Sequence, residues 1–210
     1  MTLPILHDYY RSSAAYRVRI ALNLKGVEYE SRPVSLVDGA QQSDAYRALN
    51  PQGLVPMLEI DGHRLTQSLA IMVYLDQRFP EPVLMPRDPA DGAHVRAMAL
   101  SIACDIHPLN NLRVLKHLAT LGIGQEQRDA WYMHWITEGF DALETTAAAS
   151  AGAFMFGDTP TLADVCLVPQ MFNARRFNVP VEAFPALLRA DDNAAQIEAF
   201  AAAHPDRQAH

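Results

Sequence analysis

Apolar and polar positions follow two different periods along this chain. Pro4-Ile5-Leu6-His7 is a short apolar run that predicts a strand. Val18, Ala21, Leu22 and Lys25 then recur at helical spacing and predict an amphipathic helix over 12–25, with Gly26 as the residue that stops it. Tyr29-Glu30-Ser31-Arg32-Pro33-Val34 alternates and predicts an edge strand, and a short helix is predicted within 42–48. Leu54-Val55-Pro56-Met57-Leu58-Glu59-Ile60 and His63-Arg64-Leu65-Thr66 flank Asp61-Gly62, a hairpin signal. Ser68 is predicted to cap a helix whose Ile71, Tyr74 and Leu75 mark one face. The order is βαβ followed by ββα, a compact α/β unit.

The texture changes at Pro80, Pro82, Pro86 and Pro89. Beyond about residue 90 the chain is Ala-rich, with helical periodicity and no convincing strand. Helices are predicted at 90–118, 125–148, 162–174, 185–190 and 193–203, and Thr161-Leu162-Ala163-Asp164 is a capping-box pattern opening one of them. The predicted organisation is an α/β domain over 1–81, a linker over 82–90 and an all-α domain over 91–210.

Composition narrows the function classes. Half of the 210 residues are hydrophobic and a fifth charged, which predicts a soluble globule. A net charge of −7 argues against general nucleic-acid binding but allows a locally basic pocket. No apolar run approaches the roughly 20 residues of a membrane span. Met1-Thr2-Leu3-Pro4-Ile5 lacks the basic start and long apolar core of a secretory signal. Cys104 and Cys166 show no metal spacing and are expected to be buried free thiols of a cytoplasmic protein. His63, His94, His117, His134, His204 and His210 are scattered, so no metal site is expected. His7 and Asp8 sit at a strand end without an arguable Ser/His/Asp set. Trp131 and Trp135, spaced i,i+4, are expected in the core.

Candidate chemistry begins where the first strand meets the first helix. Arg11-Ser12-Ser13-Ala14 places hydroxyls and free backbone N–H groups at the positive end of a helix dipole. Such a terminus suits an anion, and a thiolate is one, because the dipole lowers a thiol's pKa. The local pattern is equally consistent with Ser12 or Ser13 serving only as a helix cap.

The α/β unit with a proline after Val55, followed by an all-helical region, resembles the cytosolic glutathione transferases. Arg11-Ser12-Ser13 with Arg17-Val18-Arg19-Ile20-Ala21-Leu22 is similar to the zeta-class signature. So are Ala48-Leu49-Asn50-Pro51 leading to Val55-Pro56, and Gln67-Ser68-Leu69-Ala70-Ile71. Gly157-Asp158, Leu167-Val168-Pro169-Gln170 and Asn173-Ala174-Arg175-Arg176-Phe177 extend the likeness over nearly the whole chain. Cys104-Asp105-Ile106-His107-Pro108-Leu109-Asn110-Asn111-Leu112-Arg113 is similar to a stretch of the maleylpyruvate isomerases within that class. Ala14 departs from the pattern, since many zeta enzymes carry cysteine there. Isomerisation should survive that change, whereas thiol-exchange side activities become doubtful.

The resemblance implies a thioredoxin-like N-terminal domain, glutathione as cofactor, a small dicarboxylate substrate and a homodimer. It implies glutathione-dependent cis–trans isomerisation of maleylacetoacetate, with maleylpyruvate as the second choice. A thiolate adds to the conjugated bond, the adduct rotates, and the thiolate leaves. Ser12 is implied as the group that activates the thiol, with Ser13 as rival and the Ser13 and Ala14 N–H groups adding to the field. Val55 beside a cis Pro56, and Gln67 with Ser68, are implied to hold glutathione, with Gln42 and His107 as weaker contacts. Arg11, Arg113 and Arg176 are the candidates for the substrate carboxylates, since guanidinium offers a planar fork at any working pH. His107 and Asn111 are further substrate candidates, and Arg175 competes with Arg176 because adjacent helix positions point about 100° apart. A transferase acting on α-halo acids would use the same Ser12 site with a leaving group in place of the double bond and would not require the arginine cluster, while a non-catalytic module of the same fold has no need of the intact Ser12, Val55-Pro56 and Gln67-Ser68 set.

Overall fold

The computed structural model describes residues 3–150 and 152–208. His210, one of the scattered histidines, lies outside them. Two compact units emerge. One combines the segment ending at Val83 with the segment beginning at Ile197, and the other runs from Leu84 to Gln196.

In the first unit, β1 (Ile5–Asp8) pairs in parallel with β2 (Glu30–Pro33) and antiparallel with β3 (Met57–Ile60). The hairpin partner β4 (His63–Thr66) completes the order β2-β1-β3-β4. The exposed β2 is an edge strand, as its alternation predicts. Asp61 and Gly62 both adopt positive φ, 51° and 79°, the backbone that a two-residue type I′ hairpin turn requires. Helix α1 (Ser13–Leu24) follows β1, α2 (Asp44–Leu49) follows β2, and α3 (Ser68–Arg78) follows the hairpin.

Helix α1 is not amphipathic in its setting. Val18, Ile20, Ala21 and Leu22 are fully buried, but Arg17 and Arg19 are buried too. The reason is a second cover. Helix α1 packs against α3 and also against α10 (Glu198–Ala203). Arg19 donates to both Asp8 carboxylate oxygens at 2.8 Å, to the Ala203 carbonyl at 3.0 Å and to the Tyr10 carbonyl at 3.0 Å. Asn23 donates to the Ala199 carbonyl at 3.0 Å. The segment beginning at Ile197 therefore belongs with the α/β unit, and the helical unit ends at Gln196, short of the bound expected for the all-α domain. The predicted helix 193–203 is two pieces, because α9 (Pro185–Ala195) ends before α10 begins.

In the second unit, α4 (Pro89–Leu100) starts inside the predicted linker. Asp88 caps it, accepting from the Ala90 and Asp91 N–H groups, with Pro89 at the first turn where no N–H is needed. The predicted helix 90–118 is broken into α4, a π-helical turn over Ser101–Ile106, α5 (His107–Asn110) and α6 (Leu112–Thr120). Periodicity alone missed the break. Pro108 supplies no N–H and its ring crowds the preceding turn, and Asn111 leaves the helical region to cap α6. Helix α7 (Gln125–Ala149) carries Ile136, Phe140 and Leu143 to the core, and α8 (Leu162–Arg176) carries Val165, Leu167 and Met171. Thr161 and Asp164 form the predicted capping box. Asp164 is fully buried and accepts from the Met155 and Thr161 N–H groups and the Thr161 hydroxyl at 2.7–2.9 Å.

Two burial expectations fail. Cys166 is buried but Cys104, on the π turn, is exposed. Trp131 and Trp135 are half-buried and stack edge to face at 5.5 Å, and the Trp131 indole donates to the Leu109 carbonyl at 2.8 Å. Among the described residues, no helix is long and apolar enough to cross a membrane.

Candidate functional site

In the first unit, three sequence-predicted elements meet solvent at defined backbone positions. Ser12 is the N-cap of α1. Its N–H donates to the Tyr9 carbonyl at 2.8 Å, and its Oγ accepts from the Ala15 N–H at 3.3 Å. The Arg19 bonds to Asp8 and to the Tyr10 carbonyl hold both ends of the turn that delivers Ser12. Burial pushes the Asp8 carboxyl up, and the Arg19 charge and hydrogen bonds oppose that push. Ser13 is buried as the first residue of α1, Ala14 is half-buried, and Arg11 is exposed with its guanidinium 5.0 Å from the Tyr10 ring centre. The more accessible hydroxyl at this terminus is Ser12.

The second element is the peptide before β3. Val55-Pro56 is cis, as the resemblance implies. The Tyr46 hydroxyl and the Asn50 amide both donate to the Leu54 carbonyl at 2.7 Å. Gln42 lies at the end of a 3-10 turn and donates to the Gly53 carbonyl at 3.1 Å. Gly53, at φ +60°, packs so closely that a Cβ there would lie 2.9 Å from the Gln41 carbonyl. These bonds fix the segment leading to Val55, whose own backbone lies outside the strands and makes no hydrogen bond among the described residues.

The third element is the N-terminus of α3. The cap is Gln67, at φ 67°, and not Ser68, which is the first helical residue and buried. Ser68 Oγ accepts from the Arg17 guanidinium at 3.4 Å, so the hydroxyl's own hydrogen is left to donate elsewhere. The Gln67 side chain donates to Gln52 at 3.0 Å.

In the second unit, His107, Asn111 and Arg113 come together around the start of α6. Asn111 Nδ2 lies 3.5 Å from His107 Nε2. The Asn111 side-chain oxygen caps the Arg113 N–H at 3.1 Å, and the Arg113 guanidinium is exposed. At the end of α8 the two neighbouring arginines separate. Arg175 pairs with Asp191 at 2.5 Å. Arg176 stands 5.8 Å from the centres of both the Phe172 and Phe177 rings and has no carboxylate partner among the described residues. Phe177 stacks on Tyr132 at 3.6 Å, and burial raises the Tyr132 hydroxyl while the Arg176 charge opposes it.

The Asp8–Arg19 pair and the Tyr46 and Asn50 bonds to Leu54 were not found by sequence reasoning. Arg17 and Arg19 on opposite sides of Val18 were a visible signal, since two charges inside an apolar helix need partners. A cavity of about 330 Å³ lined by Tyr9, Tyr10, Ser31, Ser35 and Val37 contains none of the predicted site residues. Among the described residues no three His, Cys, Asp or Glu side chains cluster to hold a metal ion.

Residues 6–83 match the family model of the glutathione S-transferase N-terminal domain. The chain is 50% identical over 205 residues to the maleylacetoacetate isomerase of Rhizobium meliloti, covering 97% of this chain and 96% of the relative. The solved holo structure of a zeta-class maleylpyruvate isomerase is similar at TM-score 0.95 and 44% identity, covering 97% and 98% of the two chains. A maleylacetoacetate isomerase structure from Methylobacterium extorquens, with malonate and glutathione bound, is similar at TM-score 0.94 and 38% identity, covering 98% of each chain.

Proposed function

We infer function from the premise that this chain belongs to the zeta-class glutathione transferase family: it is a glutathione-dependent maleylacetoacetate isomerase. The residues present fit glutathione on their own chemistry. Ser12 offers a hydroxyl at a helix N-terminus, Val55 an unpaired backbone edge, and Ser68 a hydroxyl whose hydrogen is free because Arg17 occupies its oxygen. When bound, glutathione supplies a thiolate that adds reversibly to the conjugated double bond, allowing rotation before it leaves.

The chain's residues do the rest. Ser12 donates to the sulfur and, with the Ser13 and Ala14 N–H groups at the dipole end, favours the ionised thiol. Val55 pairs with the tripeptide as an added strand, next to Pro56. Gln67 and Ser68 receive the γ-glutamyl carboxylate at the α3 terminus, and Gln42 and His107 make lesser contacts. Arg11, Arg113 and Arg176 hold substrate carboxylates, with His107 and Asn111 alongside. Charge that builds on the substrate during addition is stabilised by these fixed guanidinium groups.

The observation that carries this reading is Arg176. It has no protein carboxylate among the described residues, while its neighbour Arg175 has one. A dicarboxylate substrate needs such a cation, and a neutral electrophile does not. Maleylpyruvate is the second substrate, favoured by the contact between His107 and Asn111 in the stretch that resembles the maleylpyruvate isomerases. The proposed setting is a cytoplasmic homodimer in aromatic amino-acid or related ring-cleavage catabolism, as expected of the family.

The test follows loss of maleylacetoacetate and of maleylpyruvate by absorbance, with and without glutathione, for wild type and Arg176→Ala. Glutathione-dependent trans product, slowed in the variant, is expected. Turnover of neither substrate, with glutathione still bound, would overturn the reading in favour of halo-acid or conjugation chemistry.

A further inference from the structure

We infer that Gly139 and Trp131 are positioning residues for His107, holding the helical break that presents it; this rests on the assignment of His107 to the substrate-binding set. The π-helical turn ends with the His107 N–H donating to the Ile102 carbonyl, five residues back. A π turn carries one residue more than an α turn, so everything after it is rotated by about 100° relative to an uninterrupted helix. Which way His107 faces is therefore set by whether that turn is kept.

Helix α7 grips the turn on both sides of His107. Before it, Ile106 is buried to 1% exposure and lies against Gly139. A Cβ on residue 139 would fall 2.3 Å from both Ile106 Cγ1 and Cδ1, well inside contact distance. Glycine here leaves the space that the Ile106 side chain fills. After it, the Trp131 indole N–H donates to the Leu109 carbonyl at 2.8 Å. Gly139 and Trp131 are two turns apart on α7, and Ile106 and Leu109 run in the opposite sense, as antiparallel segments must. Tightening the break to α-helical register would withdraw Ile106 from Gly139 and Leu109 from Trp131. Neither Gly139 nor Trp131 needs to touch substrate to do this.

The experiment compares Gly139→Ala, Trp131→Phe, Gly139→Ala/Ile106→Ala and each single change combined with His107→Ala. Ile106→Ala removes the two clashing carbons and leaves Cβ 3.8 Å from the added methyl, an ordinary contact. Gly139→Ala is expected to lower kcat/KM for the dicarboxylate about 10-fold or more, since displacements near 1 Å cost up to about 100-fold, with a much smaller rise in KM for glutathione, to which His107 is only a lesser contact. The double variant is expected to recover most of that loss. In the His107→Ala background, Gly139→Ala and Trp131→Phe should each cost less than about 2-fold, because their path runs through the missing imidazole.

Equal losses with and without His107 would overturn the inference. So would unchanged isomerisation in Gly139→Ala and Trp131→Phe. Imidazole NMR of His107 separates the two claims. Resonances that move in Gly139→Ala and return in the double variant support the positioning role even if His107→Ala proves fully active, an outcome that would sink only the assignment of His107 to substrate. Should Gly139→Ala fail to fold, Trp131→Phe carries the same test.

Discussion

Arg175 and Asp191 form an ion pair at 2.5 Å between α8 and α9, and this pair sets two adjacent arginines in different surroundings. Arg175 has its carboxylate within the protein. Arg176, one position on, faces the Phe172 and Phe177 rings and has no carboxylate partner among the described residues. Arg176→Ala should lower kcat/KM for maleylacetoacetate by about 10- to 150-fold, the equivalent of a charged hydrogen bond of about 1.5–3 kcal/mol. Arg175→Ala should leave turnover within about 3-fold and cost at most about 1 kcal/mol of stability, because the guanidinium is nearly half exposed and screened. Steady-state kinetics and urea melts of the two variants check this. Equal kinetic losses would reverse the assignment.

Ser12 caps α1 and is the group proposed to activate the thiol. Ser12→Ala removes both the hydroxyl and the cap, at about 1 kcal/mol for the cap alone. Ser12→Gly keeps helix stability to within a few tenths of a kcal/mol, since glycine is a tolerated N-cap. Both variants should lose activity alike and shift the thiol ionisation seen in the pH–rate profile upward, but only Ser12→Ala should lower the melting temperature clearly. Ser13→Ala should move that ionisation far less. A larger shift in Ser13→Ala would transfer the role to Ser13.

The peptide that glutathione is proposed to pair with is braced from behind. Tyr46→Phe removes one of the two donors on the Leu54 carbonyl and leaves Asn50 on it. At about 1 kcal/mol per hydrogen bond, KM for glutathione should rise about 5-fold with kcat nearly unchanged. Titration of glutathione at saturating substrate is the measurement. A fall in kcat without a KM change would place the effect on chemistry.

Asp164 gives a pH dependence whose sign follows from burial. Its folded pKa is raised above the usual 3.8, so between 3.8 and that raised value the folded state binds the proton more readily than the unfolded state. Wild-type stability contributed by this group is therefore greatest below 3.8 and declines as pH rises through the window. Asp164→Asn does not titrate there. The variant's deficit should be largest at the acid end and smaller at neutral pH, as read by thermal melts from acid to neutral. A deficit that grows with pH would mean that the charged form is the stabilising one.

The strands, the hairpin and the helix N-termini were legible because each is written in neighbours: alternation, Asp61-Gly62, Ser12 after an apolar run. The α/β unit followed from them, and the resemblance to the glutathione transferases carried by the same segments implied the glutathione-side residues. Long-range relations were not legible. Nothing near Ser68 announces that Gln67, at positive φ, takes the cap position, and nothing near Cys104 announces a π turn that exposes it. Periodicity carried the predicted helix through Pro108 because a single wide turn barely disturbs an apolar count. The difference between Arg175 and Arg176 also needed three dimensions, since it lies in the position of Asp191 on another helix.

The bond from Arg19 to the Ala203 carbonyl joins positions 184 residues apart in sequence. During synthesis the strands of the α/β unit are made well before Ala203, yet that carbonyl is one acceptor of the unit's buried guanidinium. Before Ala203 is made, the hydrogen-bond partners of Arg19 among the described residues are Asp8 and the Tyr10 carbonyl. The α/β unit is thus begun before the helical unit and completed after it, with α10 as its latch.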